Sequence, residues 1–240
     1  MFVAVWMIYA ADRLLDARLL DTAQPHTTPV DIEERHCFHH LHRKRFLFGM
    51  AFGALALGLL LPRIDSRALV IYALLASMLG VWMLLIHALP QSGDGSHRLP
   101  KELAVGIFFP AACFIPTIAR APWLQLQLLP AAALFAAVCT LNCLFLYAWE
   151  HPYLPRPMQN AHWTTLWSIR HLVHLSLLIF TVGIALALRA HATTALALAC
   201  TLSVFCLLTL HRNRDHISPV HLRAAADLVL LSPLLFLLHP

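Results

Sequence analysis

Long apolar runs alternate along this chain with short basic or proline-bearing segments. The runs predict membrane-spanning helices at 1–20, 46–62, 67–89, 103–119, 124–149, 170–189, 193–211 and 222–238. A helix needs roughly 20 apolar residues to cross a hydrocarbon core of ~30 Å, and all but the first run come close to that length. Pro90, Pro100, Pro122, Pro152, Pro155, Pro157 and Pro219 fall between runs, where helix breakers belong. Pro110 and Pro116 lie inside the fourth run, where neighbouring helices can satisfy the carbonyls that proline frees. No internal repeat or low-complexity segment stands out. The pattern predicts an all-α, polytopic transmembrane bundle forming one integral-membrane domain over 1–240.

The first run is the exception. It begins at Met1, and Asp12 interrupts it after eleven residues, a rise of about 17 Å that is too short to cross. It also lacks the basic leading region of a secretory signal peptide. Either the helix continues through Leu20 as a rod half submerged and half in the cytoplasm, or the true start lies upstream of Met1, which is the expectation preferred here.

Composition agrees with the pattern. Of the 240 residues, 60% are apolar and 12% charged, with a mean hydropathy of +0.70. Soluble domains carry about 25% charged residues, so in water this chain would expose large apolar patches and aggregate. Its net charge of +5 does not point to nucleic acid, because the basic residues flank apolar runs instead of forming a stripe. They orient the bundle. Thirteen of the seventeen Lys and Arg residues lie in or beside the connections near 12–45, 90–102, 150–170 and 211–223, and only Arg63, Arg67, Arg120 and Arg189 lie on the other side. The positive-inside rule makes the first set cytoplasmic, and a bacterial inner membrane is the expected location. Trp6, Trp82, Trp123, Trp149, Trp163 and Trp167 mostly sit near run ends, as interface anchors do. Of six cysteines, Cys113, Cys139, Cys143, Cys200 and Cys206 lie inside runs and read as small packing residues; Cys37 lies in a loop.

The sharpest chemical feature is Tyr9-Ala-Ala-Asp12-Arg13-Leu-Leu-Asp16. The i, i+4 spacing stacks two carboxylates on one helix face about 5–6 Å apart. Like charges so placed need a counter-charge, and Mg²⁺ is commonly held by one or two carboxylates plus substrate phosphates. Neutralisation of a solvated helix end by Arg13 and Arg18 is the alternative.

An aspartate pair at this spacing, at the basic end of an early span, resembles the first aspartate-rich motif of the UbiA superfamily of intramembrane prenyltransferases. Further features follow at similar distances: the basic loop from Arg35 to Arg45, Lys101 at the head of a span, Asn142 to Glu150 closing the fifth run, and Arg223 with Asp227 opening the last. Eight runs with the motif on the first resemble a nine-helix fold lacking its first helix. The resemblance implies Mg²⁺-dependent transfer of an isoprenyl group from its diphosphate to a lipophilic acceptor. Asp12, Asp16 and Glu150 would be catalytic, with Asn142 joining them as metal ligands. Arg13, Arg43, Lys101 and Arg223 would bind the diphosphate. Cations aimed at the leaving group in a low-dielectric cleft suit such chemistry. The sequence also departs from the family's pattern. Ile8 stands where the family's first motif usually begins with Asn or Asp, and the segment from Asn142 to Arg170 supplies only Glu150 as a carboxylate.

Two other readings stay open. His36-Cys-Phe-His39-His40 matches the H-x-x-H-H box of membrane di-iron desaturases and hydroxylases, and imidazoles at that spacing suit iron. His171 with His174, and the looser His211, His216 and His221, would have to supply the remaining boxes. The third reading is a non-catalytic membrane protein that keeps the fold. Lys101-Glu102 can also serve as a helix start, since an acid in the first turn suits the helix dipole. Asp227, one turn from Arg223, reads either as its i, i+4 salt-bridge partner or as a functional intramembrane acid.

Overall fold

A computed structural model describes residues 2–22, 41–88, 101–150, 162–189 and 193–237. The described residues contain α1 (Phe2–Thr22), α2 (Arg43–Leu60), α3 (Ser66–Ala88), α4 (Lys101–Arg120), α5 (Gln125–Glu150), α6 (Trp163–Arg170), α7 (Leu172–Arg189), α8 (Thr194–Arg212), α9 (Pro219–Val229) and α10 (Pro233–Leu237). No strand occurs among them. Among the described residues, seven segments are long and apolar enough to cross a membrane, the last being Pro219–Phe236. The chain is therefore an all-α, multi-pass helical bundle. The apolar part of α1, Val3–Asp12, is shorter than a span, as its eleven-residue run requires.

Residue contacts divide the chain into two compact units, Met1–Ile71 and Tyr72–Pro240. In the smaller unit, α1 packs on α2 through Val3, Trp6 and Met7, spaced so that they share one helix face. Opposite them, Gly49 and Gly53 form a G-x-x-x-G step, the small-residue seam that lets membrane helices approach closely. A Cβ on Gly49 would lie 2.9 Å from the Trp6 indole, and one on Gly53 3.1 Å from the Met7 sulfur. Trp6 is thus a packing residue in this seam.

The larger unit is built on two helical hairpins, α4–α5 and α7–α8, whose second helices α5 and α8 pack together at the centre. The buried side of α5 runs Leu134, Val138, Leu141 and Phe145, the 3–4 spacing of a single helix face. Val204 and Leu207 of α8 complete this core.

Both hairpins close by the same contact. In the first, a side chain on Gly106 would overlap the Thr140 hydroxyl, which itself donates to the Ala136 carbonyl at 2.9 Å. In the second, a side chain on Gly183 would overlap the Thr201 hydroxyl, which donates to the Ala197 carbonyl at 2.8 Å. Around these threonines the sequence repeats: Ala136-x-x-Cys139-Thr140-Leu141-Asn142 matches Ala197-x-x-Cys200-Thr201-Leu202-Ser203. Contrary to the expectation of no repeat, the larger unit carries a short internal one.

Pro116 removes the N–H that would bond the Ala112 carbonyl four residues back. The Tyr72 hydroxyl on α3 donates to that carbonyl at 3.1 Å, so a neighbouring helix does satisfy what the proline frees. The last predicted run is not one helix. It turns at 230–232 ahead of Pro233, and the Ser232 and Ser203 hydroxyls meet there at 2.7 Å. Ser232 also donates to the Ala199 carbonyl at 2.9 Å, which pins the turn to α8.

Replacing Gly106 or Gly183 by Val overpacks one hairpin and is expected to cost about 1–3 kcal/mol. Thermal unfolding in detergent checks it; unchanged midpoints would remove the close-approach argument. Tyr72→Phe orphans the Ala112 carbonyl and should cost about 1 kcal/mol, read in the same assay against a Pro116→Ala background in which the loss disappears.

Candidate functional site

Polar side chains of the larger unit gather where α5 and α8 end and α4, α6 and α9 begin. The end of α5 carries Asn142, Cys143, Trp149 and Glu150; α4 opens with Lys101 and Glu102. Helix α6 begins beyond His162, whose ring accepts from the Thr164 amide as a cap. Helix α9 begins beyond Ser218, whose hydroxyl accepts from the His221 amide, with Pro219 at its first position. Proline and caps thus fix the start of the helix that carries Arg223 and Asp227.

Helices α5 and α9 face each other through two polar rungs. In the outer rung, Arg223 Nε lies 2.9 Å from Glu150 Oε1. Its N–H is not aimed along that line, so the contact is an ion pair more than a directed hydrogen bond. The Arg223 side chain is 40% exposed and that of Glu150 only 13%. A carboxylate this buried needs its cation, whereas the guanidinium keeps its outer edge open to the surroundings. In the inner rung, the Asn142 side chain donates to the Asp227 carboxylate. Asn142 is 3% exposed, and its Oδ1 has no hydrogen-bond partner. The expected alternative of an Arg223–Asp227 salt bridge is corrected here, because each residue reaches across to α5 instead.

Other contacts tie the remaining helices to these rungs. The buried Thr165 hydroxyl of α6 donates to Glu102 Oε2 of α4 at 3.2 Å. Cys143 lies within electrostatic reach of both Glu102 and Asp227. It is therefore part of the polar layer as well as of the packing. At the end of the bundle, Trp149 Nε1 donates to His211 Nδ1 at 3.0 Å, which places the remaining ring proton on Nε2. Phe145 flanks that imidazole at a ring-centroid distance of 5.3 Å.

Of the residues singled out in the sequence, the structure pairs Glu150 with Arg223 and Asn142 with Asp227, sets Cys143 near Glu102 and Asp227, and adds Thr165 as the partner of Glu102. Asp12 is half-buried on α1. Arg13 and Asp16 are on the same helix and Lys101 opens α4, but their side chains lie outside the described residues. Arg43 opens α2 and is exposed beside Lys44 and Arg45. The H-x-x-H-H box at His36, His39 and His40 also lies outside the described residues. His171 and His174 are exposed with ring centroids 6.4 Å apart, and His171 Nδ1 is 2.9 Å from the Trp167 carbonyl. His221 Nδ1 meets the Ser218 hydroxyl at 2.6 Å. Among the described residues, no three His, Cys, Asp or Glu side chains converge as a metal-binding group. Asp227 was visible in the sequence through its place inside an apolar run. Glu102 and Thr165 carried no comparable signal, since an acid and a hydroxyl in a first helical turn also serve as ordinary start residues.

Glu150→Gln and Arg223→Gln should each destabilise the bundle, the arginine variant more because it leaves a mostly buried carboxylate unpaired. A double-mutant cycle by thermal unfolding should give a coupling of about 0.5–1 kcal/mol, the modest end because Arg223 is partly exposed. Strict additivity would show that the outer rung holds nothing. No protein-family model, curated protein or solved structure matches this chain.

Proposed function

We propose that this chain is an intramembrane prenyltransferase, moving an isoprenyl group from its diphosphate to a lipophilic acceptor. One observation carries the reading. Glu150 Oε1 lies 2.9 Å from Arg223 Nε, with the arginine side chain 40% exposed, so among the described residues this carboxylate meets the guanidinium from behind and the two terminal nitrogens face outward. A planar fork of N–H donors held from behind by a carboxylate is suited to bidentate capture of a phosphate group. The surroundings are apolar helices, which would shelter an isoprenyl tail and keep water from a reactive allylic centre. With the basic connections cytoplasmic, the fork would open toward the compartment that supplies soluble diphosphates.

The donor chemistry fits Mg²⁺, which takes carboxylate oxygens together with substrate phosphate oxygens. In the larger unit Glu150 is the carboxylate beside the Arg223 fork that would hold it. Once bound, the ion would neutralise charge on the departing diphosphate. Arg223 orients the same group and Glu150 orients Arg223. The Asn142 amide is committed through its nitrogen to Asp227, so it belongs with the inner rung.

Protein reconstituted in lipid nanodiscs should bind a farnesyl or geranylgeranyl diphosphate in the presence of Mg²⁺. It should also release pyrophosphate when a lipophilic phenol is supplied. Arg223→Gln should weaken diphosphate binding by about tenfold or more. Absence of diphosphate binding by folded wild-type protein would defeat the reading.

A further inference from the structure

The inner rung has a property that the outer one lacks. Asp227 lies within the candidate span Pro219–Phe236 and its residue is exposed, yet its only partner among the described residues is the neutral amide of Asn142. On the other side of that amide, Oδ1 is buried and unpartnered, in a residue with only 3% of its surface open. A buried amide oxygen without a donor has lost its hydration with nothing in return. An ionised carboxylate inside an apolar run is costly unless something covers it. Both groups lack the same thing: a positively charged donor of N–H bonds.

The internal repeat isolates this feature. The position equivalent to Asn142 is Ser203, whose hydroxyl is fully engaged with the Ala199 carbonyl at 3.0 Å, the Val229 carbonyl at 3.0 Å and Ser232 at 2.7 Å. One copy of the repeat seals its polar position with structural hydrogen bonds. The other leaves an acceptor open beside a carboxylate.

We propose that Asn142 and Asp227 form a binding subsite for the ammonium group of an amphiphilic amine. The carboxylate supplies charge and one acceptor, the Asn142 oxygen supplies the second, and the weakly accepting Cys143 sulfur lies within electrostatic reach of Asp227. Two or three acceptors match the three donors of a primary ammonium. No group of three metal-ligating side chains converges among the described residues. The apolar side chains beside the carboxylate, Leu228 at 64% and Leu231 at 51% exposed, suit the alkyl tail. The inference does not depend on prenyl transfer and uses no phosphate.

The test is calorimetric titration of decylamine at neutral pH into the full chain in phosphatidylcholine nanodiscs, with empty nanodiscs subtracted. Decyltrimethylammonium, which has the charge and tail but no N–H donor, serves as comparator. Saturable binding of decylamine about tenfold or more tighter than the comparator is expected. Asp227→Asn and Asn142→Leu, each checked for a native thermal transition, should lower that affinity by about tenfold or more. Equal binding of the two probes by the wild type would overturn the proposal without recourse to any variant. So would displacement of decylamine by Mg²⁺, which would assign the Asn142 oxygen to a metal. Retained affinity in folded Asp227→Asn would do the same.

Discussion

Every polar group that this bundle carries into its apolar layer has to find a partner within the protein, because the hydrocarbon around it offers none. That constraint explains most of the specific contacts in the larger unit. Pro116 frees a carbonyl and Tyr72 takes it. Thr140 and Thr201 turn their hydroxyls back to the carbonyls four residues before them, so that each presents only its apolar side and a small oxygen to the glycine opposite. Ser203 and Ser232 bind one another and the Ala199 carbonyl at the turn before Pro233. Even the bundle end obeys it, with an indole N–H satisfied by an imidazole nitrogen. Against this background two buried groups stand out as unsatisfied among the described residues, the Trp82 indole N–H on α3 and Asn142 Oδ1, and the second lies in the site.

The architecture was legible in the sequence because its signal is strong and redundant. Run length, the scarcity of charge and the placement of prolines between runs all reflect one requirement, the thickness of the hydrocarbon layer. The short first run was equally readable, since an acid at residue 12 cannot be carried across. Finer features were less visible. The turn at 230–232 was hidden because hydropathy continues across it, and Pro233 acts there as it would in a water-soluble helix. The repeat around Thr140 and Thr201 escaped notice because small and apolar residues recur throughout a membrane helix, so a few matching letters carry little weight without a shared contact.

The site was legible in part. Glu150, Asn142, Arg223 and Asp227 were conspicuous as polar residues at the ends of apolar runs, but their pairing was not. Sequence spacing favours partners one turn apart on a single helix. The fold supplied partners on an antiparallel helix instead, and Arg223 and Asp227 each took a different residue of α5. Glu102 and Thr165 have no signature that separates them from ordinary first-turn residues. Only the meeting of α4 with α6 gives them a common position.

The repeated glycine–threonine contact bears on how the protein is made. Each contact joins two helices adjacent in the chain, so each hairpin closes over a short connection with little loop entropy. The first pair can settle as a finished unit while the second is still being synthesised. Docking of α5 on α8 is then the late, long-range step, and the polar layer assembles only when α9 arrives from the far end of the chain. Translation order and site assembly are thereby coupled: the hairpins mature early, and the chemistry last.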